Sequence, residues 1–133
     1  MIRQLLLLAA VFTFVQVLTG CAARAVNNAA SKGTAAAPHV EPVCVLKSPL
    51  PSSIPHTVVG EIDASRRWYG GVGTLIPLMA DEARKMGADV VVNLRSGHKI
   101  GLFAWSTPYA TGTGVKLANR ADLNCAANGG ELR

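Results

Sequence analysis

Residues 74–95 read TLIPLMADEARKMGADVVVNLR, and their periodicity changes once, at Gly87. Before that glycine, Leu75, Met79, Ala83 and Met86 recur at spacings of four, four and three, while Asp81, Glu82, Arg84 and Lys85 cover most of the other side. Such spacing predicts an amphipathic helix over 74–87. Thr74 is the expected N-cap. Pro77 falls in the first turn, where its missing N–H costs little. Acids precede bases, as the helix dipole favours, and Gly87 suits the left-handed residue that ends a helix. After it, Asp89 to Arg95 reads as a strand, with Val90, Val92 and Leu94 expected to face the helix and Val91, Asn93 and Arg95 to face away.

Upstream, TVVGEID at 57–63 alternates as a strand. Val58 and Ile62 are expected on one face, and Val59, Glu61 and Asp63 on the other. Strand, helix and strand over 57–95 then predict a right-handed crossover between parallel strands. Val43 to Leu46 reads as a short strand closed by Pro49 and Pro51, and a Pro/Ser-rich loop fills 47–56. The glycine-rich SRRWYGGVG at 65–73 is a second loop. Downstream, Ser96 to Thr113 reads as a long loop with a hairpin arm through Lys99–Trp105. Thr113 to Leu117 reads as the last strand, and Asp122 to Arg133 as a loose tail. The expected fold is α+β: one amphipathic helix packed on a mixed sheet in β-β-α-β-β order. It occupies residues 41–133, with its core at about 43–120.

The chain has 133 residues, of which 50% are hydrophobic and 16% charged. That length holds one small domain and excludes a multidomain enzyme. The hydropathy excludes a disordered chain. Its excess lies in the first 20 residues. Leu5 to Val15 is an apolar run of 11 residues, too short to cross a bilayer comfortably and of the length of a secretory h-region. Leu18-Thr19-Gly20-Cys21 follows, and resembles the lipobox of bacterial lipoproteins. The resemblance implies a signal peptide at 1–20, a diacylglycerol on the Cys21 thiol, and cleavage that leaves Cys21 as the first residue. An ordinary cleaved signal and a transmembrane anchor are the alternatives. Ala22 in place of Asp implies, by the same resemblance, the outer membrane facing the periplasm. Residues 21–40 are Ala-rich and nearly free of large apolar side chains. They read as a flexible tether with a root-mean-square reach of roughly 25 Å.

The run ADEARKMGADVVVNLR at 80–95 is followed by an aromatic and proline loop and GTGVKL at 112–117. With VGEID at 59–63, this resembles the small domain of RcsF-like outer-membrane lipoproteins and the YbjQ-type heavy-metal-binding domain family. The resemblance covers roughly residues 57–118 and implies a helix packed on a sheet, with envelope-stress sensing through other envelope proteins. YbjQ-type relatives form rings, which leaves self-association open here. The chain departs from RcsF-like proteins in carrying two domain cysteines rather than four.

Those two, Cys44 and Cys125, would sit in an oxidising compartment, where leftover thiols tend to pair. Two separate thiols, one buried in its strand, are the alternative. His39, His56, His98 and the cysteines show no ligand spacing of a metal site, so no metal ligand is assigned. No catalytic motif is present either. Glu61 and Asp63 share a strand face about 7 Å apart and read as a solvated face rather than an acid/base pair. Arg66, Arg67, Trp68 and Tyr69 form one basic-aromatic loop, and Trp105 and Tyr109 a second. Such residues suit an interface or contact with lipid headgroups, or else plug small cores beneath their loops. The net charge of +5 would suit nucleic acid, but export favours anionic lipid, lipopolysaccharide or peptidoglycan carboxylates instead, and so small an excess is also ordinary solubility charge. The expected function is a non-enzymatic lipoprotein, held to the membrane by the lipid on Cys21 and without other cofactor, that binds or senses an envelope component, an envelope protein foremost. A periplasmic metal-binding protein and a structural accessory subunit of an envelope or secretion complex are the other classes.

Overall fold

The computed structural model describes residues 23–102 and 104–133; the signal peptide expected at 1–20 and the expected lipidation site Cys21 lie outside them. Six strands form one mixed sheet: β1 (Arg24–Asn27), β2 (Cys44–Val45), β3 (His56–Ser65), β4 (Val90–Lys99), β5 (Thr107–Leu117) and β6 (Glu131–Leu132). A short helix α1 (Ala29–Lys32) follows β1, and the main helix α2 (Ile76–Lys85) joins β3 to β4. The sheet order is β1-β3-β5-β4-β2-β6. The expected α+β domain is therefore present, with a strand added at each end of the β-β-α-β-β core. β3 and β4 both run antiparallel to β5 and so parallel to each other. They are not adjacent, as a simple crossover would make them, because β5 is inserted between them.

The predicted helix face is the buried one: Leu75, Met79, Ala83 and Met86 are at most 1% exposed. They pack with Val59, Ile62, Ala64, Val91 and Ala110 from the sheet. The sheet leaves room for them at Gly112 and Gly114, where an added Cβ would lie 3.2 Å from the Met79 Cε and 1.8 Å from the Met86 Cε. Thr74 is not the cap. Its hydroxyl donates to the Gly71 carbonyl within a 3-10 turn (Val72–Thr74), and Leu75 precedes the helix without a side-chain bond. At the other end, Ala88 N–H donates to Ala83 O and Gly87 N–H to Arg84 O. Gly87 sits at φ 77°, which completes a Schellman motif.

Two bulges reverse the expected strand faces. Register slips between Val58 and Gly60 in β3, so Val59 joins Ile62 beneath the helix and Val58 is left 55% exposed. It slips again between Val92 and Arg95 in β4, where Asn93 takes φ 54°. Val91 and Leu94 therefore face the helix. Val90 and Val92 face a second core on the opposite side of the sheet, with Leu46, Leu50, Ile54, Val115, Leu117 and Cys125. An extra residue on one strand shifts every later side chain to the other face.

The flexible tether expected over 21–40 does not describe residues 24–39. β1 pairs with β3 from Arg24↔Ser65 to Asn27↔Ile62, and Ala29 is fully buried. Ala36 N–H donates to Met86 O, a carbonyl beyond the last turn of α2, and His39 N–H adds a second donor to Arg84 O, so this segment is bonded to the end of α2. The Asn27 amide donates to Glu82. Glu82 also accepts from Lys85, which holds that exposed ammonium above its usual pKa. The Ala content that reads as a tether is here the small-residue packing of an edge strand against a helix.

The tail is likewise anchored. Cys44 and Cys125 form a disulfide with Cα atoms 5.8 Å apart, and β6 pairs with β2. Asp89, 2% exposed, ties the ends of the domain together. Its carboxylate accepts from the Leu117 N–H at 3.0 Å and Lys116 at 2.9 Å, with Arg120 at 3.4 Å and His39 at 3.6 Å.

Candidate functional site

At the end of the sheet where β4 turns into β5, β3 also ends and β1 begins. The long loop expected at 96–113 is mostly strand: β4 and β5 form one extended hairpin, and only residues 100–106 turn. Beside this turn lies the loop that leaves β3, residues 66–71. Hydrogen-bond contacts tie this loop to the β4–β5 hairpin and its turn. Arg66 N–H donates to Pro108 O at 3.2 Å. The His98 ring lies 3.0 Å from Gly70 O, and Trp105 N–H approaches the Tyr69 hydroxyl at 3.4 Å.

The two aromatic loops predicted from sequence are thus brought to one end of the domain, with different fates for their members. Trp105 is 82% exposed, Tyr69 57% and Trp68 43%, so these rings do not plug a subsidiary core. Arg67 is exposed and Arg66 half-buried. Tyr109 is not a loop residue. It lies half-buried in β5 across from Gly97, whose missing side chain leaves space for the ring 3.3 Å away. Lys99 Nζ stands 5.6 Å from the centre of that ring, a cation–π contact.

Two members of the site escape the sequence reading. Ile100 is 77% exposed and Leu102 89% exposed, among the most exposed large apolar side chains described. With Tyr69, Ala104 and Trp105 they line an open recess of about 390 Å³. The signal was present as the apolar run IGLFAW at 100–105, flanked on both sides by alternating strand residues.

Glu61 and Asp63 lie on the open face of the sheet, in a groove of about 460 Å³ lined also by Asn93, Arg95, Thr111 and Thr113. The Glu61 carboxylate is occupied. It accepts from Asn28 at 3.4 Å and sits 3.9 Å from Lys32. Among the described residues, no three His, Cys, Asp or Glu side chains converge as a bound metal would require, and the two thiolates are taken up in the disulfide. No described helix is long and apolar enough to cross a membrane.

The chain matches no known family, curated protein or solved structure.

Proposed function

We infer that the chain is a lipoprotein anchored through Cys21 at the periplasmic face of the outer membrane. Its small domain binds or senses another envelope component without catalysing a reaction. The observation that carries this reading is the gathering of Trp68, Tyr69, Ile100, Leu102 and Trp105, all exposed, at one end of the domain, whereas the other exposed large apolar side chains described, Val26, Val40, Val58 and Leu132, lie on other segments. Single exposed apolar residues are ordinary on a soluble protein. Several large ones on two tied loops mark a contact surface. Aromatic side chains bring large contact area at low entropic cost, and the neighbouring Arg66, Arg67 and Lys99 supply charge at the rim. The lipobox supports the anchor, since two or three acyl chains hold a protein stably at a membrane. The resemblance of residues 57–118 to RcsF-like lipoproteins supports an envelope protein as a partner. Export sets nucleic acid aside, and no cofactor beyond the lipid is invoked.

The test places a photocrosslinking side chain at Leu102, and as a control at Ala118, which is exposed at the other end of β5. In living cells Leu102 is expected to give envelope adducts that Ala118 does not. Equal adducts at both positions, or none at Leu102, overturn the assignment of this end. Palmitate labelling that is lost in Cys21→Ala checks the anchor separately.

A further inference from the structure

The pairing register places the start of the described chain at the same end of the sheet as the apolar loops. Arg24 pairs with Ser65, Ser65 with Tyr109, and Tyr109 with Gly97. These four residues form one row across β1, β3, β5 and β4, spanning about 15 Å at ~4.8 Å per strand. From this row β4 climbs three residues to Ile100, about 10 Å. In the opposite chain direction, three residues separate Arg24 from Cys21, a reach of at most ~11 Å. An anchor on Cys21 and the side chains of Ile100, Leu102 and Trp105 can therefore lie in one plane.

The charge of this end points the same way. Residues 64–80 and 96–113 contain no Asp or Glu, yet hold Arg66, Arg67 and Lys99. Arg24 adds a further cation to the row. The closest acid along β3 is Asp63, two residues below Ser65. A rim of cations around protruding aromatic and aliphatic side chains complements an anionic lipid surface. The cations meet headgroups, the amphipathic Trp and Tyr rings sit at the interface, and the aliphatic tips reach the acyl boundary.

We propose that the domain docks its own loop end onto the phospholipid surface that carries its anchor. Ile100, Leu102 and Trp105 insert into the leaflet, and Arg24, Arg66, Arg67 and Lys99 contact anionic headgroups. This rests on the reading of Cys21 as the anchor and names the envelope component that the loop end meets.

The chain has two tryptophans, and both are in this end, so intrinsic fluorescence reports on it directly. The full lipidated protein is reconstituted in phosphatidylethanolamine vesicles containing phosphatidylglycerol and a brominated phospholipid. Emission is expected to fall at least twofold and to become inaccessible to iodide. Trp68→Phe isolates Trp105, which should show the same loss. The double substitution Ile100→Glu, Leu102→Glu changes side chains that are 77% and 89% exposed, so the fold is retained, checked by circular dichroism. It should restore most of the emission. In phosphatidylcholine vesicles without anionic lipid, quenching should weaken severalfold. Emission that ignores the bromolipid and stays open to iodide overturns the proposal, as does equal quenching of the double-Glu variant. Undiminished quenching in phosphatidylcholine overturns the role of the cations. Shielding from iodide in native membranes but not in vesicles also overturns it, and assigns the surface to a protein. Mass spectrometry of Cys21 in the same sample separates the two readings. An acylated protein with unquenched tryptophans leaves the anchor standing and removes the docking. A quenched protein without acyl chains does the reverse.

Discussion

Replacing Cys44 and Cys125 together by Ala should cost this domain at least about 4 kcal/mol. The bridge spans 81 residues of sequence. In the chain-entropy relation, a closed loop of that size removes about 15 cal/mol/K from the unfolded ensemble, or ~4.5 kcal/mol at 25 °C. The two side chains are 3% and 7% exposed, and a Cβ on Gly130 would lie within 2.8 Å of both sulfurs. The bridge therefore also fills the second core, and its removal adds a packing loss to the entropic one. For a domain of roughly a hundred residues, this corresponds to a fall in Tm of about 15 °C or more. Urea unfolding of the oxidised protein and the double-Ala variant measures the difference. Hydrogen exchange gives a local check at Val43 and Arg133, whose N–H groups are bonded to each other's carbonyls. Both should lose protection as β6 comes away from β2. A shift below about 1 kcal/mol, with both amides still protected, would refute the view that the bridge staples the two ends of the chain.

Three further perturbations probe the rest of the frame. Asp89→Asn keeps an acceptor for Leu117 N–H but turns an amide donor towards Lys116. Breaking this buried charged hub should cost about 2–3 kcal/mol in chemical denaturation, and an unchanged midpoint would argue against it. Gly87→Ala forces a Cβ to within 2.7 Å of Ala36 backbone at φ 77°, so a loss of ~2 kcal/mol or more is expected in thermal unfolding. Deleting residues 23–40 should remove about 3 kcal/mol or more, through the four-residue pairing of β1 and the bonds of Ala36 and His39 to α2. A true tether could be deleted at no cost to stability.

What the sequence revealed depended on how local the cause was. The face of α2 was legible because Leu75, Met79, Ala83 and Met86 are set by a helical period that nothing interrupts. The faces of β3 and β4 were not, because a single bulge inverts everything beyond it. Gly60 and Asn93 were the available signals: a glycine inside a strand often marks a close backbone approach, and an Asn readily takes positive φ. An added Cβ at Gly60 would lie 2.8 Å from the Asn28 side chain, which shows what approaches there. Residues 24–39 escaped because small side chains bury little area alone and gain their place only from β3 and α2. Within the site, the aromatic residues were legible by type. Their convergence, and the part played by Ile100 and Leu102, depended on where β4 stops and β5 starts.

If Cys21 carries the proposed anchor, the three-residue step from it to Arg24, where β1 starts, changes what that anchor can do. A flexible tether of roughly 25 Å reach would hold the domain near a membrane but leave it free to turn. With at most ~11 Å of chain between anchor and sheet, a contact at the loop end becomes a second attachment to the same surface. Two attachments in one plane favour one orientation, because the second forms at the high effective concentration set by the first. In that proposed orientation the cation-rimmed loops would face the lipid, and the disulfide-bonded side and the groove beside Asp63 and Arg95 would face outward or sideways. An envelope protein that recognises the docked domain would then meet the groove face or the disulfide side, and the exposed aromatic rings would set its orientation rather than its specificity.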